Sequence, residues 1–229
     1  MINIYYFSGS GHSLKLAEYL GGMLNRPVFD ISRIENECDG SDTAVVVFPV
    51  YCQNIPEAVK CFLRKLSAKY VVLIATYGRF SYGNVLWEAA RLVKGTVIAG
   101  AFIPVGHSYL NEADVPFEEN DYLPILERIK APRKAIISKS FKNPLADVFP
   151  ELRSRIGVRI QRTDKCRQCG QCNNICPVQT MNKGVMGRQC IRCLKCVSNC
   201  PENALHVTYN PFLKLYLKGK RKNEFVIYL

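Results

Sequence analysis

Eight of the chain's 11 cysteines fall between Cys166 and Cys200, in two stretches, CRQCGQCNNICP and CIRCLKCVSNCP. Both read CxxCxxCxxxCP and align at an offset of 24 positions: Cys166 with Cys190, Cys169 with Cys193, Cys172 with Cys196, Cys176 with Cys200, and Pro177 with Pro201. Reduced thiols at this density point to metal rather than to disulfides. Three cysteines spaced by two residues can wrap one iron-sulfur cube, while the fourth reaches the other cube across a pseudo-twofold. The ligand sets then interleave: Cys166, Cys169, Cys172 and Cys200 for cluster I, and Cys190, Cys193, Cys196 and Cys176 for cluster II. Four thiolates also suit structural zinc, but zinc sites use two separated CxxC pairs, and the tandem spacing would leave ligands idle.

Over residues 159–209 the pattern resembles the bacterial two-cluster ferredoxin, which implies two 4Fe-4S clusters. The chain's formal charge of +12 is concentrated here, with 13 basic and 3 acidic residues in 159–229 against 18 and 16 in 1–158. Eight thiolates and two cubes would bring the cysteine-rich end down to about +6. Such a surface steers an acidic redox partner.

A second chemical motif is FSGSGHS at 7–13, between an apolar run and a helical pattern. Hydroxyls and amides at a helix N-terminus make an anion site, so a phosphate is expected there. A Walker A loop requires a lysine followed by Ser or Thr, and no lysine precedes Lys15. The dinucleotide fingerprint GxGxxG is met only by Gly9 and Gly11, although Asp30 stands at about the right distance for a ribose. A loop of Ser and Gly without a third Gly resembles the phosphate loop of flavodoxins, with His12 where that loop usually has Asn. Two further loops, PVYCQNIP (49–56) and TYGRFSYGN (76–84), resemble the flavin-holding loops of the same fold, at the switch point between strands 1 and 3. The resemblance implies FMN held by Ser8, Ser10, Gly11, His12 and Ser13 at the phosphate. It implies Pro49, Val50, Tyr51, Asn54, Thr76, Tyr77, Gly78, Tyr82 and Gly83 around the ring, with Tyr51, Tyr77 and Tyr82 as the aromatic candidates. The chain as a whole resembles the bacterial and archaeal EFR-type ferredoxins, which fuse a short flavodoxin-like domain to a two-cluster ferredoxin.

The elements that must position these residues follow from the hydrophobic pattern. Apolar runs at 2–7, 26–31, 44–50, 70–77 and 96–105 read as strands, and helical patterns at 14–24, 56–66, 83–93 and 121–140 separate or follow them. Strands alternating with helices predict an α/β, doubly wound, five-stranded parallel sheet of flavodoxin type, followed by a small α+β ferredoxin module. The expected divisions are 1–158 for the FMN-binding domain, 159–209 for the two-cluster domain and 210–229 for a basic tail whose final FVIYL docks on one of them. At 229 residues, 48% hydrophobic and 22% charged, the chain is ordinary globular material. No run reaches the roughly 18 apolar residues of a membrane span, and MINIYYF has no basic stretch ahead of a signal core, so a cytoplasmic location is expected.

Cys38, Cys52 and Cys61 lie outside the repeats, and Cys61 has core phase on its helix. His107 follows the fifth strand on the edge expected to hold the flavin, which makes it a candidate proton donor; His206 reads as a strand residue. No hydrolytic triad or carboxylate pair stands out, and no catalytic residue is assigned. Three functions compete. The first is an electron carrier passing single electrons between two 4Fe-4S clusters and FMN, suited to an anaerobic oxidoreductase system, as a monomer or homodimer. The second is an FMN-dependent reductase of a quinone, nitro compound or other small acceptor. The third is a nucleic-acid-binding iron-sulfur protein, for which no recognition motif is present.

Overall fold

The structure is a computed structural model describing residues 1–34, 41–110, 112, 115–148 and 152–229; Cys38 lies outside the described residues. The first part of the chain runs β1 (Ile2–Tyr6), α1 (His12–Leu24), β2 (Val28–Asp30), β3 (Ser41–Pro49), α2 (Glu57–Lys65), β4 (Ala68–Tyr77), α3 (Val85–Ala90), β5 (Thr96–Pro104) and α4 (Glu119–Lys130). Short helices α5 (Leu145–Val148) and α6 (Leu152–Gly157) lead into the second part. There β6 (Val158–Arg162), α7 (Gln171–Asn174), β7 (Met181–Asn182), β8 (Val185–Met186), α8 (Lys195–Ser198) and β9 (Leu205–Tyr209) precede α9 (Pro211–Leu217) and β10 (Val226–Tyr228).

The β-branched runs form the centre of the main sheet because both of its faces are covered. Along β3 and β4, Val45, Val47, Val72 and Ile74 meet Leu16 and Leu20 of α1 and Tyr122 and Ile125 of α4. The alternate residues Val46, Phe48, Leu73 and Ala75 meet Val59 and Leu63 of α2 and Val85 and Leu86 of α3. This is period-two alternation with an apolar layer on each side. The strand order is β10-β5-β4-β3-β1-β2, parallel throughout the first five strands, which is the flavodoxin-like order 2-1-3-4-5.

The sheet therefore has six strands rather than the expected five. The chain end returns as β10, antiparallel on the outer edge of β5, with Ile227 opposite Ala101, so FVIYL closes a sheet edge. The helix expected over 121–140 stops at Lys130, because Pro132 pushes Ala131 out of the helical region. The chain beyond it runs alongside β5, where the Ala135 N–H donates to the Val97 carbonyl at 2.9 Å.

In the second part β6 pairs antiparallel with β9 and β7 with β8, around a core that includes Val158, Ile160, Met181, Leu194 and Leu205. Among the described residues no helix is long and apolar enough to cross a membrane.

Candidate functional site

The cysteine repeat is duplicated in backbone conformation as well as in spelling. Left-handed residues recur at the same offset: Gln168 (φ 55°) with Arg192 (57°), Gly170 (81°) with Leu194 (63°), and Gln179 (48°) with Asn203 (46°). L-residues rarely adopt this region, so its repetition at matching positions marks two copies of one loop, bent to turn backbone amides inward. Two of those amides reach sulfur at equivalent places: Thr180 N–H donates to Cys176 Sγ at 3.4 Å and Ala204 N–H to Cys200 Sγ at 3.3 Å.

Cys176, Cys190, Cys193 and Cys196 line one small cavity together with Ile160, Met181 and Leu194. Cys176, from the first stretch, is thus brought to the three cysteines of the second, as the interleaved set requires. Burial pushes the Cys193 thiol up to about 11 and the Cys196 thiol up to about 12, and the neighbouring cysteines add to both shifts. Thiols in such surroundings carry charge only where a cation compensates it, which suits an all-sulfur metal site. In the first set, Cys166 and Cys172 flank Gly184, whose N–H donates to Cys172 Sγ at 3.2 Å and whose φ of 83° needs glycine. A Cβ there would lie 3.3 Å from Cys166 Sγ. Cys169 is exposed, and its loop is tied to the loop after Cys200 by Arg167 Nε and Glu202 Oε2 at 3.5 Å. Among the described residues no three His, Cys, Asp or Glu side chains gather tightly enough to form a ready-made site for one metal ion.

A cavity of about 470 Å³ opens at the carboxyl ends of the parallel strands. Of the residues expected to hold a flavin, Ser10, His12, Pro49, Val50, Tyr51, Asn54, Thr76 and Gly78 line it. Ser8, Gly11, Ser13, Tyr77, Tyr82 and Gly83 are not among its lining residues, and each has a local reason. Gly11 (φ 100°) caps α1, and its N–H donates to Ser8 Oγ at 3.1 Å, so both shape the loop. Ser13 Oγ is buried 2.8 Å from Thr76 Oγ1, which pins α1 to β4. Tyr77 follows Thr76 on the opposite face of the strand, where its hydroxyl donates to the Glu224 carbonyl at 2.7 Å and accepts from the Glu224 N–H at 3.0 Å. Burial raises that phenol to about 12. Tyr82 stacks on Phe102 with ring centroids 4.0 Å apart, and Gly83 (φ 59°) packs against Gln53. Of the three tyrosines expected at the ring, Tyr51 lines this cavity and Tyr77 and Tyr82 do not.

The loop carrying Tyr51 is held from both ends. Tyr51 and Asn54 exchange backbone hydrogen bonds of 3.0 and 2.8 Å, with Cys52 and Gln53 left-handed at the tip. Asn54 Nδ2 donates to the Ala146 carbonyl at 2.9 Å, and Lys142 Nζ donates to Asn54 Oδ1 at 3.0 Å.

Several lining residues escaped sequence reasoning because they come from elsewhere in the fold. Gly106, Ser108 and Tyr109 follow β5, and Val178, Gln189, Ile191, Arg192 and Cys193 come from the cysteine module. Tyr109 joins the two parts, its hydroxyl donating to the Arg192 carbonyl at 2.9 Å. His107 lines the cavity against Gly78, and burial pushes its imidazole down to about 4, so it is neutral near pH 7. Its Nδ1 accepts from the Tyr109 N–H at 3.2 Å, which leaves the ring proton on Nε2. The Tyr51 hydroxyl is buried without a hydrogen bond of normal geometry, enclosed by Gly9 of the loop between β1 and α1 and by Cys193. A Cβ on Gly9 would run into that hydroxyl and into Cys193 Cβ, with Cys193 Sγ 3.2 Å away.

Comparison with known proteins assigns the second part. Residues 163–179 and 189–208 match the 4Fe-4S binding domain. The electron transport protein HydN of Escherichia coli K12 is 36% identical over 73 residues, which is 29% of this chain and 42% of HydN, and HydN of the O157:H7 strain matches equally. The chain thus spans under half the length of these relatives. Among solved structures, one from Bacteroides eggerthii described as a flavoprotein is 18% identical, with a TM-score of 0.39, over 56% of this chain and 97% of its own. Another so described, from Bacteroides uniformis, is 16% identical, with a TM-score of 0.36, over 46% of this chain and 91% of its own. The strand order of the first part is that of a flavodoxin-like α/β fold, and the second part carries a 4Fe-4S binding domain.

Proposed function

We propose that the chain is an electron-transfer iron-sulfur flavoprotein, in which two 4Fe-4S clusters exchange single electrons with FMN, to or from an acidic redox partner in the cytoplasm. The observation that carries this reading is one cavity bounded jointly by Ser10 and His12 of the phosphate loop, by Tyr51, and by Cys193 of the cysteine module. Its volume of about 470 Å³ suits a single cofactor-sized ligand. Ser10, His12 and the first amides of α1 would hold the phosphate, while Tyr51, Asn54, Gly78 and Tyr109 would border the ring. FMN would supply the interconversion of one-electron and two-electron chemistry. The interleaved cysteine sets would hold the clusters, with residues 1–158 as the flavin domain and 159–209 as the cluster domain. The basic segment 210–229 follows them and returns to the sheet of the first.

The phosphate assignment is tested by comparing FMN with riboflavin. FMN should bind at least about tenfold more tightly, and replacing Ser10 and His12 together with Ala should remove most of that preference by deleting charge-assisted hydrogen bonds. Equal binding of riboflavin by the unaltered chain would refute the loop assignment. A second reading, an FMN-dependent reductase of a small acceptor, is favoured by the neutral His107 on the cavity wall. The chain has one nucleotide loop, so NADPH is expected to be a poor direct donor. Rapid flavin reduction by NADPH that survives replacement of the cluster cysteines would promote the reductase.

A further inference from the structure

The two cysteine sets occupy unlike surroundings. Among the described residues Cys193 is the one cysteine of either set that lines the large cavity, and it does so beside Gly9 and Tyr51. Its companions Cys190 and Cys196 are buried. The other set includes the exposed Cys169; Lys165, next to Cys166 in sequence, and Lys183, whose carbonyl lies 3.9 Å from Cys166 Sγ, are also exposed. The carboxyl-end cavity and the solvent-facing cysteine loop thus address different cysteine sets.

Resting on the flavin and two-cluster reading above, we propose that the ferredoxin module is polar in its use: the Cys176–Cys190–Cys193–Cys196 set faces the flavin across the Gly9–Tyr51 seam, and the set containing Cys169 faces an acidic one-electron carrier protein. Each productive encounter oxidises that carrier by one electron and leaves this chain reduced by one, with no bond made or broken. Lys165 and Lys183 attract the carrier to the outer loop, while Cys193 brings its sulfur to 3.2 Å from where a Cβ on Gly9 would stand. Gly9 keeps that approach short, because any side chain there would push the seam apart.

The experiment uses anaerobic holoprotein whose iron and FMN content is measured first; absence of FMN or of a second cluster would refute the function itself and this inference with it. On the loaded protein, full reduction makes the clusters paramagnetic, and the ³¹P resonance of bound FMN should broaden. In Cys169→Ala, which should keep about four irons by losing the outer cluster, the broadening should persist. Its disappearance with four irons still bound would place the outer set next to the flavin and overturn the inference.

Should that variant fail to hold iron, two charge-reversed proteins of equal net charge decide the matter. Lys165→Glu with Lys183→Glu should slow reduction by an acidic low-potential ferredoxin about tenfold at low salt, while Lys214→Glu on α9 with Lys218→Glu just after it should change it less than about twofold. An equal or larger loss from the α9 pair, or no loss from either pair, would overturn the docking face.

Discussion

Three tyrosines that look alike in the sequence have separate physical roles. Tyr51 borders the cavity and buries its hydroxyl beside Cys193, whereas Tyr77 anchors the returning chain through Glu224 and Tyr82 stacks on Phe102. Tyr77→Phe should therefore lower unfolding stability by about 1 to 2 kcal/mol, leaving the backbone groups of Glu224 short of a partner, with FMN affinity unchanged. Tyr51→Ala should weaken FMN by about tenfold, the worth of one aromatic contact. Denaturant titration and flavin binding on both variants check this, and weaker FMN binding by Tyr77→Phe would count against the assignment. The signal that separates Tyr77 from the cavity was present in the sequence: Thr76 and Tyr77 are consecutive on a strand and cannot share a face. His107 offers a pH test. Its folded pKa, near 4, is depressed by burial, so the neutral ring contributes stability that is present above the unfolded value of about 6.5 and lost as pH falls through the folded one. Histidine NMR titration should give one ring with a midpoint near 4, and a midpoint near 6.5 would mean that it faces water.

At the scale of elements, the pattern of the parallel strands was legible because β3, β4 and β5 are buried on both faces and read as near-continuous apolar runs. The last strand was less so. Three residues of β10 carry no period of their own, and their partner β5 lies more than a hundred positions earlier, so only the pairing itself identifies them. The same holds for the cavity wall contributed by Gln189, Ile191 and Arg192, which depends on how the module docks. By contrast, the duplicated spacing already marks the cysteines as two copies of one loop, and the fold brings Cys176 of the first copy to Cys190, Cys193 and Cys196 of the second. Removing residues 223–229 should expose the edge of β5 and lose the Tyr77 anchor. The expected result is a destabilisation of about 2 to 4 kcal/mol with increased aggregation, monitored by thermal unfolding and light scattering. An unchanged melting temperature would mean that β10 adds nothing to the sheet.

For the whole molecule, the charge asymmetry and the shared cavity point the same way. The first 158 residues are close to neutral, and the basic excess belongs to residues 159–229, which carry the cysteine module. The cysteine module forms part of the wall of the carboxyl-end cavity, through Arg192 and Cys193. Covalent fusion and the Tyr109–Arg192 hydrogen bond keep the two parts in register. Which cofactors fill these sites decides the account. The most direct measurement is iron, acid-labile sulfide, zinc and flavin per chain in protein purified without oxygen. Close to eight irons with matching sulfide, one FMN and negligible zinc are expected. Stoichiometric zinc in place of iron, or a fully iron-loaded chain that binds no flavin, would contradict it.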